Sequence, residues 1–144
     1  MIQATDRRLV NEFFLSRLGI EMSDDFRGVV HVPDEFRDNV ASMDQVAIAV
    51  GYNGFVGKTC CMHVVIQKPE CLTPRIVRDA FAFPFNVCGC VAVLGMVDSL
   101  NEAALDFDRR LGFKEIDRIE GGGLDGDLVI LRMTRADCRW LRPH

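Results

Sequence analysis

The feature that most constrains this chain is the switching of its hydrophobic period between residues 45 and 133. QVAIAVGY (45–52) and KTCCMHVVIQ (58–67) are apolar, β-branched runs, the composition of strands. TPRIVRDAFAF (73–83) changes to helical spacing, with Ile76, Val77, Ala80 and Phe81 on one face. Thr73 is placed to cap that helix, and Pro74 stands at its first position, where a missing N–H costs nothing. Pro84 ends or kinks it. CVAVLGMV (90–97) is continuously apolar, which predicts a central strand buried on both faces. NEAALDFDRRL (101–111) returns to helix, opened by Asn101 and stopped by Gly112, with Ala104, Phe107 and Leu111 inward. FKEIDRIE (113–120) and DLVILRM (127–133) predict a hairpin joined by GGGLDG (121–126) with an Asp125-Gly126 turn, and NGFVG (53–57) predicts another around Asn53-Gly54. Strand–helix–strand succession requires some parallel pairing, so the class is α/β (α+β), with helices on a mixed sheet.

Upstream, TDRRLVNEFFLSRLG (5–19) reads as an amphipathic helix capped by Thr5 and closed by Gly19, burying Leu9, Val10, Phe13, Phe14 and Leu18. Residues 29–32 read as a short strand, and VPDEFRDNVAS (32–42) as turn and helix. Arg7, Arg8, Arg109 and Arg110 read as solvated helix faces. The 144 residues fit one compact domain. A net charge of −4 with acids and bases interspersed argues against a nucleic-acid partner, whose phosphates call for a basic face. No stretch approaches the roughly 18 apolar residues that span a bilayer, so no membrane partner is expected. The first residues lack an apolar run behind a basic cluster, which gives the expectation of a cytoplasmic protein. The six cysteines lie mostly in apolar runs and are expected to be reduced. Cys60, Cys61, His63 and Cys71 lack the C-x-x-C spacing of structural zinc sites, so no metal is expected.

One segment goes further. N-E-A-A-L-D-F-D-R-R-L-G-F (101–113) resembles the N-x-x-A-x-x-F-x-x-x-L-G-F signature of the GNAT acetyltransferases. HVVIQKPECLTPRIVRDAFAFPF (63–85) resembles the fourth strand and third helix of the ribosomal-protein N-acetyltransferase branch. DGDLVILRMTRADCRWL (125–141) resembles the ending of small GNAT proteins encoded by tailed phages. Together these cover about residues 45–141. The resemblance implies a single domain with a mixed, mostly antiparallel central sheet flanked by helices. It implies transfer of an acetyl group from acetyl-CoA to an amine of a protein or small molecule, in the cytoplasm of a host if the chain is phage-encoded. A homodimer is among the assemblies it leaves open.

The resemblance also places the site. Backbone groups of Met62, Val64, Val65 and Ile66 would hold the pantetheine arm, and Asn101 would reach toward it. The N–H groups of Glu70, Cys71, Leu72 and Thr73 would receive the pyrophosphate, with Arg75 and Arg78 adding positive charge. His63, which titrates in the useful range, and Asp98 and Ser99 at the end of the fifth family strand are the catalytic candidates. Trp140 reads as an anchor for the tail, and the 121–123 glycine run as a flexible hairpin loop. Two positions depart from the pattern. The family's pyrophosphate loop is Gln/Arg-x-x-Gly-x-Gly/Ala, whereas this chain has Gln67-Lys68-Pro69-Glu70-Cys71-Leu72, without glycine and with an acid. Asp108 stands where many members have a general-acid Tyr. The departures keep a second reading open: a GNAT scaffold that binds and modulates a host protein.

Overall fold

A computed structural model of the chain describes residues 2–4, 7–19, 25–33 and 43–142. The proposed Thr5 cap and the turn and helix over 34–42 lie outside the described residues, as do the side chains of Arg7, Arg8 and Leu9. The elements are β1 (Ile2–Ala4), α1 (Arg7–Leu18), β2 (Arg27–Val32), β3 (Ile48–Val56), β4 (Thr59–Ile66), α2 (Pro74–Ala82), β5 (Ala92–Asp98), α3 (Glu102–Leu111), β6 (Lys114–Ile119) and β7 (Leu128–Thr134). The strand order is β1-β2-β3-β4-β5-β7-β6. The chain forms two compact units, residues 1–54 with 62–77, and residues 55–61 with 78–144.

In the first unit β1, β2 and β3 pair antiparallel, with Gln3 opposite His31 and Val29 opposite Val50. The apolar stripe of α1 supplies the core: Val10, Phe13 and Phe14 are buried with Phe26, Val30, Val32, Val46 and Ala49. Phe14 meets Phe13 and Phe26 edge-on, at 5.9 and 5.1 Å between centroids. These rings need room, and two glycines provide it. Gly28 and Gly51 face each other across β2 and β3. A Cβ at Gly51 would stand 2.5 Å from Phe26 Cζ and 2.9 Å from Phe14 Cζ, and one at Gly28 2.6 Å from Val10 Cγ1. Leu18, expected in the core, is 43% exposed. It stands in the last turn before Gly19, whose φ of +66° ends the helix.

In the second unit β5 pairs antiparallel with β7 along its whole length, and β7 with β6. The N-terminal end of β4 runs parallel to β5, with Thr59 opposite Ala92, Cys60 opposite Val93 and Cys61 opposite Leu94. That is the parallel pairing the alternation of strands and helices required. The register with β5 covers 59–61, whereas β4 runs on to Ile66. Phe81, Phe85, Val93, Val129, Leu131 and Met133 are fully buried, and Phe81 lies 6.0 Å from Phe113 between centroids.

Three local expectations need correcting here. The β3–β4 hairpin turns at Gly57-Lys58, not at Asn53-Gly54, which lies inside β3. Gly57 has φ +57°, the first-position glycine that a II′ turn requires, and Thr59 Oγ1 secures it on Val56 O at 2.8 Å. β5 is buried over its first half, but Met96 is 48% exposed, so the strand is not covered on both faces throughout. The inward face of α3 is Leu105 and Leu111, while Ala104 and Phe107 are only half-buried.

The ends of α3 follow the sequence closely. Asn101 Oδ1 accepts from Ala104 N at 3.2 Å, and Gly112, at φ +118°, closes the helix with its N–H on Arg109 O and Asp108 O. The last carbonyls are satisfied from further along the chain. Trp140 Nε1 donates to Leu111 O at 2.9 Å, and Arg139 donates to Leu111 O and Arg110 O. Trp140 therefore anchors the tail, as its sequence position suggested. At the end of α2, Pro84 forces a wider turn (Phe83–Val87) in which Cys88 N reaches back to Phe83 O.

Candidate functional site

The cofactor residues expected from the sequence fall almost entirely within the first unit, on β4, the turn after it and the start of α2. Met62 is buried, and His63, Val64, Val65 and Ile66 are half-buried. The strand is then locked in place. The Gln67 and Lys68 amides both donate to Ala47 O, at 2.8 and 3.0 Å. The Gln67 side chain donates to Val46 O at 2.6 Å and accepts from Arg17 Nε at 2.8 Å. Arg17 itself bridges to Asp44 at 3.5 Å and lies over the Phe13 ring. Gln67 thus holds the exit of β4 to the core.

Beyond it, Pro69–Cys71 forms a single tight turn. The Cys71 amide donates to Lys68 O and the Leu72 amide to Pro69 O, at 2.9 and 3.1 Å. Two of the four amides expected to receive a pyrophosphate are therefore already used. The reason is the prolyl-acidic sequence itself, which closes a helical turn where a glycine loop would leave amides pointing outward. The amides of Glu70 and Thr73, with that of Arg75 in the first turn of α2, have no partner among the described residues. Thr73 caps α2 as expected, its Oγ1 accepting from Ile76 N at 3.3 Å. Glu70, Thr73 and Arg75 are exposed.

His63 is the one catalytic candidate on this strand. Its Nε2 lies 2.8 Å from Asn53 Oδ1. An amide oxygen only accepts, so Nε2 carries the proton and Nδ1 is left as a base. Burial lowers the pKa of the ring below its usual value, which keeps it neutral at pH 7.

In the second unit, Asp98 and Ser99 both accept hydrogen bonds from the loop ahead of β7. Asp98 Oδ1 accepts from Leu100 N at 2.9 Å, and Oδ2 from Asp125 N and Gly126 N at 2.8 and 3.1 Å. Ser99 Oγ accepts from Asp127 N, and Ser99 N donates to Asp127 O, both at 2.8 Å. Asp127 Oδ1 in turn accepts from Gly121 N at 3.0 Å. The β6–β7 connection is an eight-residue loop, 120–127, one residue longer at each end than the GGGLDG stretch, and it is tied down by the end of β5. The amide hydrogen bonds, from Asp125 first, hold the Asp98 carboxyl below its usual pKa, so it is a poor base.

Asn101 spends its carbonyl oxygen on the helix cap, leaving the amide nitrogen as donor. Asp108 lies against the bare backbone of β5: a Cβ at Gly95 would stand 3.2 Å from Asp108 Oδ2. Burial raises its carboxyl to about 6, and no group among the described residues compensates.

No metal cluster of His, Cys, Asp or Glu occurs among the described residues, and none of the six cysteines forms a disulfide. No helix of the described residues is long and apolar enough to cross a membrane. What sequence reasoning missed are the long-range ties, Gln67 to Arg17 and Val46, and Asp98 and Ser99 to the loop. Partners 21 to 50 residues apart leave no local pattern to read.

Comparison with solved structures covers the whole chain. A mutant of the spermidine N-acetyltransferase SpeG from Vibrio cholerae superposes with a TM-score of 0.74 at 10% identity, covering 99% of this chain and 98% of that one. The fold is the GNAT fold. The Campylobacter jejuni N-acetyltransferase PseH, solved in complex with acetyl coenzyme A, matches with a TM-score of 0.56 at 15% identity over 85% of this chain and 75% of that one. A protein assigned as a phosphinothricin N-acetyltransferase gives 0.63 at 16% identity, over 92% and 97%. No family model and no curated protein matches the sequence.

Proposed function

We propose that this chain is an acetyl-CoA-dependent N-acetyltransferase of the GNAT type, a single domain. The observation that carries the reading is that β4 continues five residues past Cys61, the last residue of its pairing with β5. Backbone groups over 62–66 are the ones a pantetheine arm would take up as if it were a strand. The SpeG and PseH likenesses support the reading, since one is named for acetylating spermidine and the other was solved with acetyl coenzyme A.

On this reading Met62, Val64, Val65 and Ile66 bind the arm and polarise the thioester carbonyl, an oxyanion-hole role. The diphosphate takes the amides of Glu70, Thr73 and Arg75, with the Arg75 and Arg78 charges. Asn101 offers its amide nitrogen to the arm. A reactive amine must first lose its proton, because unperturbed Lys titrates near 10.4. His63 Nδ1 is the base, kept neutral by burial. Asp98 and Ser99 hold the 120–127 loop, which we assign to the acceptor side. Placement among small phage-encoded relatives or the ribosomal-protein branch, with a protein amine as acceptor and the host cytoplasm as location, rests on the resemblance of residues 63–85 and 125–141.

A calorimetric titration with acetyl-CoA and CoA tests the reading, and saturable binding with turnover of an amine panel supports it. Turnover should fall on the acid side as His63 protonates, with the midpoint below pH 6.5, and His63→Gln should remove that limb. The consumption of the Cys71 and Leu72 amides, together with the Glu70 charge, favours the alternative scaffold that binds a host protein. Absence of binding at millimolar acetyl-CoA, with binding gained in Glu70→Gly, would favour it.

A further inference from the structure

The Asn53-Gly54 pair reads as a turn in the sequence, yet it lies inside β3, where the proposed acetyl transfer gives it no part. β3 and β4 are neighbours in the sheet, and the two ends of their hairpin count differently. Counted from the Gly57-Lys58 turn, Val56 faces Thr59 and Tyr52 would face His63, leaving Asn53 on the other side of the sheet. Counted from the far end, where Gln67 N donates to Ala47 O at 2.8 Å, Ala49 faces Val65 and Gly51 faces His63. Lys68 N also reaches that oxygen, at 3.0 Å, but only the Gln67 count puts Val65 on the face of Ala49, in whose cluster it packs. β3 therefore carries one residue more than β4 between the two ends, which is a β-bulge. Gly54, left-handed at φ +62°, supplies the conformation that such a bulge asks of its first residue. The extra residue reverses the facing of Asn53 and brings it to the side of His63, where Oδ1 and Nε2 stand 2.8 Å apart.

We propose that Asn53 is a positioning residue, turned by the Gly54 bulge onto His63 Nε2, where it holds the imidazole in the tautomer that leaves Nδ1 free. This role rests on the reading of His63 as the base. A neutral imidazole carries its proton on either nitrogen, and an unconstrained ring exchanges between the two. The carboxamide oxygen only accepts, so it selects the proton on Nε2. Among the described residues neither side chain has another hydrogen-bond partner. Burial lowers the titration of the ring and no ionised group acts on it, so the Asn53 bond is the polar contact that tells its two nitrogens apart. The neutrality of Asn53 matters as much as its oxygen. A carboxylate in its place would stabilise the imidazolium and keep the ring protonated to higher pH, whereas the amide orients the ring without charging it.

The test reads the ring-nitrogen NMR signals of His63 in the whole chain with labelled histidine, assigned by their loss in His63→Gln. Well above its titration midpoint, the wild-type ring should show a protonated Nε2 and a bare Nδ1. Asn53→Ala should draw the two nitrogen signals toward each other. It should also lower kcat by about fivefold, the scale of one ordinary hydrogen bond, with KM for acetyl-CoA unchanged. Asn53→Asp, which keeps an acceptor, should restore the tautomer and raise the titration midpoint of the ring by about one pH unit, carrying the acid limb of turnover with it. A proton on Nδ1 in the wild type, an unchanged tautomer in Asn53→Ala, or a midpoint in Asn53→Asp no higher than the wild type's each overturns the proposal. The ring signals are read without acetyl-CoA. A chain that acetylates no amine therefore sinks the assignment of the base and leaves the tautomer result standing.

Discussion

The loops at 67–73 and 120–127 solve the same problem in opposite ways. The first has no glycine: its two leading amides go back to Ala47 O on the core, the next segment closes a tight turn on its own Lys68 and Pro69 carbonyls, and Pro69 has no amide to place. The second carries Gly121, Gly122, Gly123 and Gly126 and organises itself on borrowed groups, the Asp98 carboxylate and the Ser99 hydroxyl. A loop held by its own turn tolerates change at its exposed side chains. A loop held by two distant side chains depends on them.

The comparison predicts where each loop breaks. The largest effect is expected at Gly123→Ala, because a Cβ there would meet Asp98 Oδ2 at 2.5 Å and the backbone Asp127 O at 2.9 Å. Hydrogen exchange should show the Asp125 and Gly126 amides losing their protection. Asp98→Asn should come next, accelerating exchange of those two amides by roughly tenfold, the scale of weakening charge-assisted hydrogen bonds. Acid should reproduce it. Because the folded pKa of Asp98 is depressed, its contribution is present above the unfolded value of 3.8 and is lost as pH falls through the lower folded value. If either change speeds exchange over 67–73 equally, the contrast between the loops is wrong.

Glu70 probes the other loop. Two unit charges about 4 Å apart interact by about 4 kcal/mol at an effective dielectric of 20, and exposure leaves a small part of that. Glu70→Gln should therefore tighten acetyl-CoA binding by roughly threefold, and Glu70→Gly somewhat more, both read by calorimetry. Binding untouched by both would put the diphosphate elsewhere. The smallest effect belongs to Gly121→Ala. Open space surrounds it but φ is +67°, so the cost is the left-handed strain alone, roughly 1 kcal/mol, seen as a modest loss in denaturant stability.

The same contrast explains what was legible in the sequence. Period and caps announced α2, α3, β4 and β7, because helix and strand preferences are local and Thr73, Pro74, Asn101 and Gly112 act within four residues of themselves. The Asn53-Gly54 turn was misplaced because two glycines, Gly54 and Gly57, compete in one stretch. Only the register decides between them, and register is a property of the pair of strands. Leu105 was passed over for Phe107 because spacing gives a face only to within part of a turn. At the candidate site, His63 and the Thr73 cap sat in recognisable runs. The ties of Asp98 and Ser99 to the loop needed the fold, since their partners lie 27 and 28 residues away.

The facing pair of Gly28 and Gly51 beneath Phe14 and Phe26 bears on how this chain can vary over generations. Neither glycine can acquire a side chain while the rings stay, and neither ring can shrink without leaving a hollow over bare backbone. The four positions are therefore bound into one unit of inheritance. A lineage that trades Gly51 for alanine must first have accepted smaller residues at positions 14 and 26, and one that trades Gly28 must also have given way at position 10, so the order of substitutions along its history is constrained by sterics.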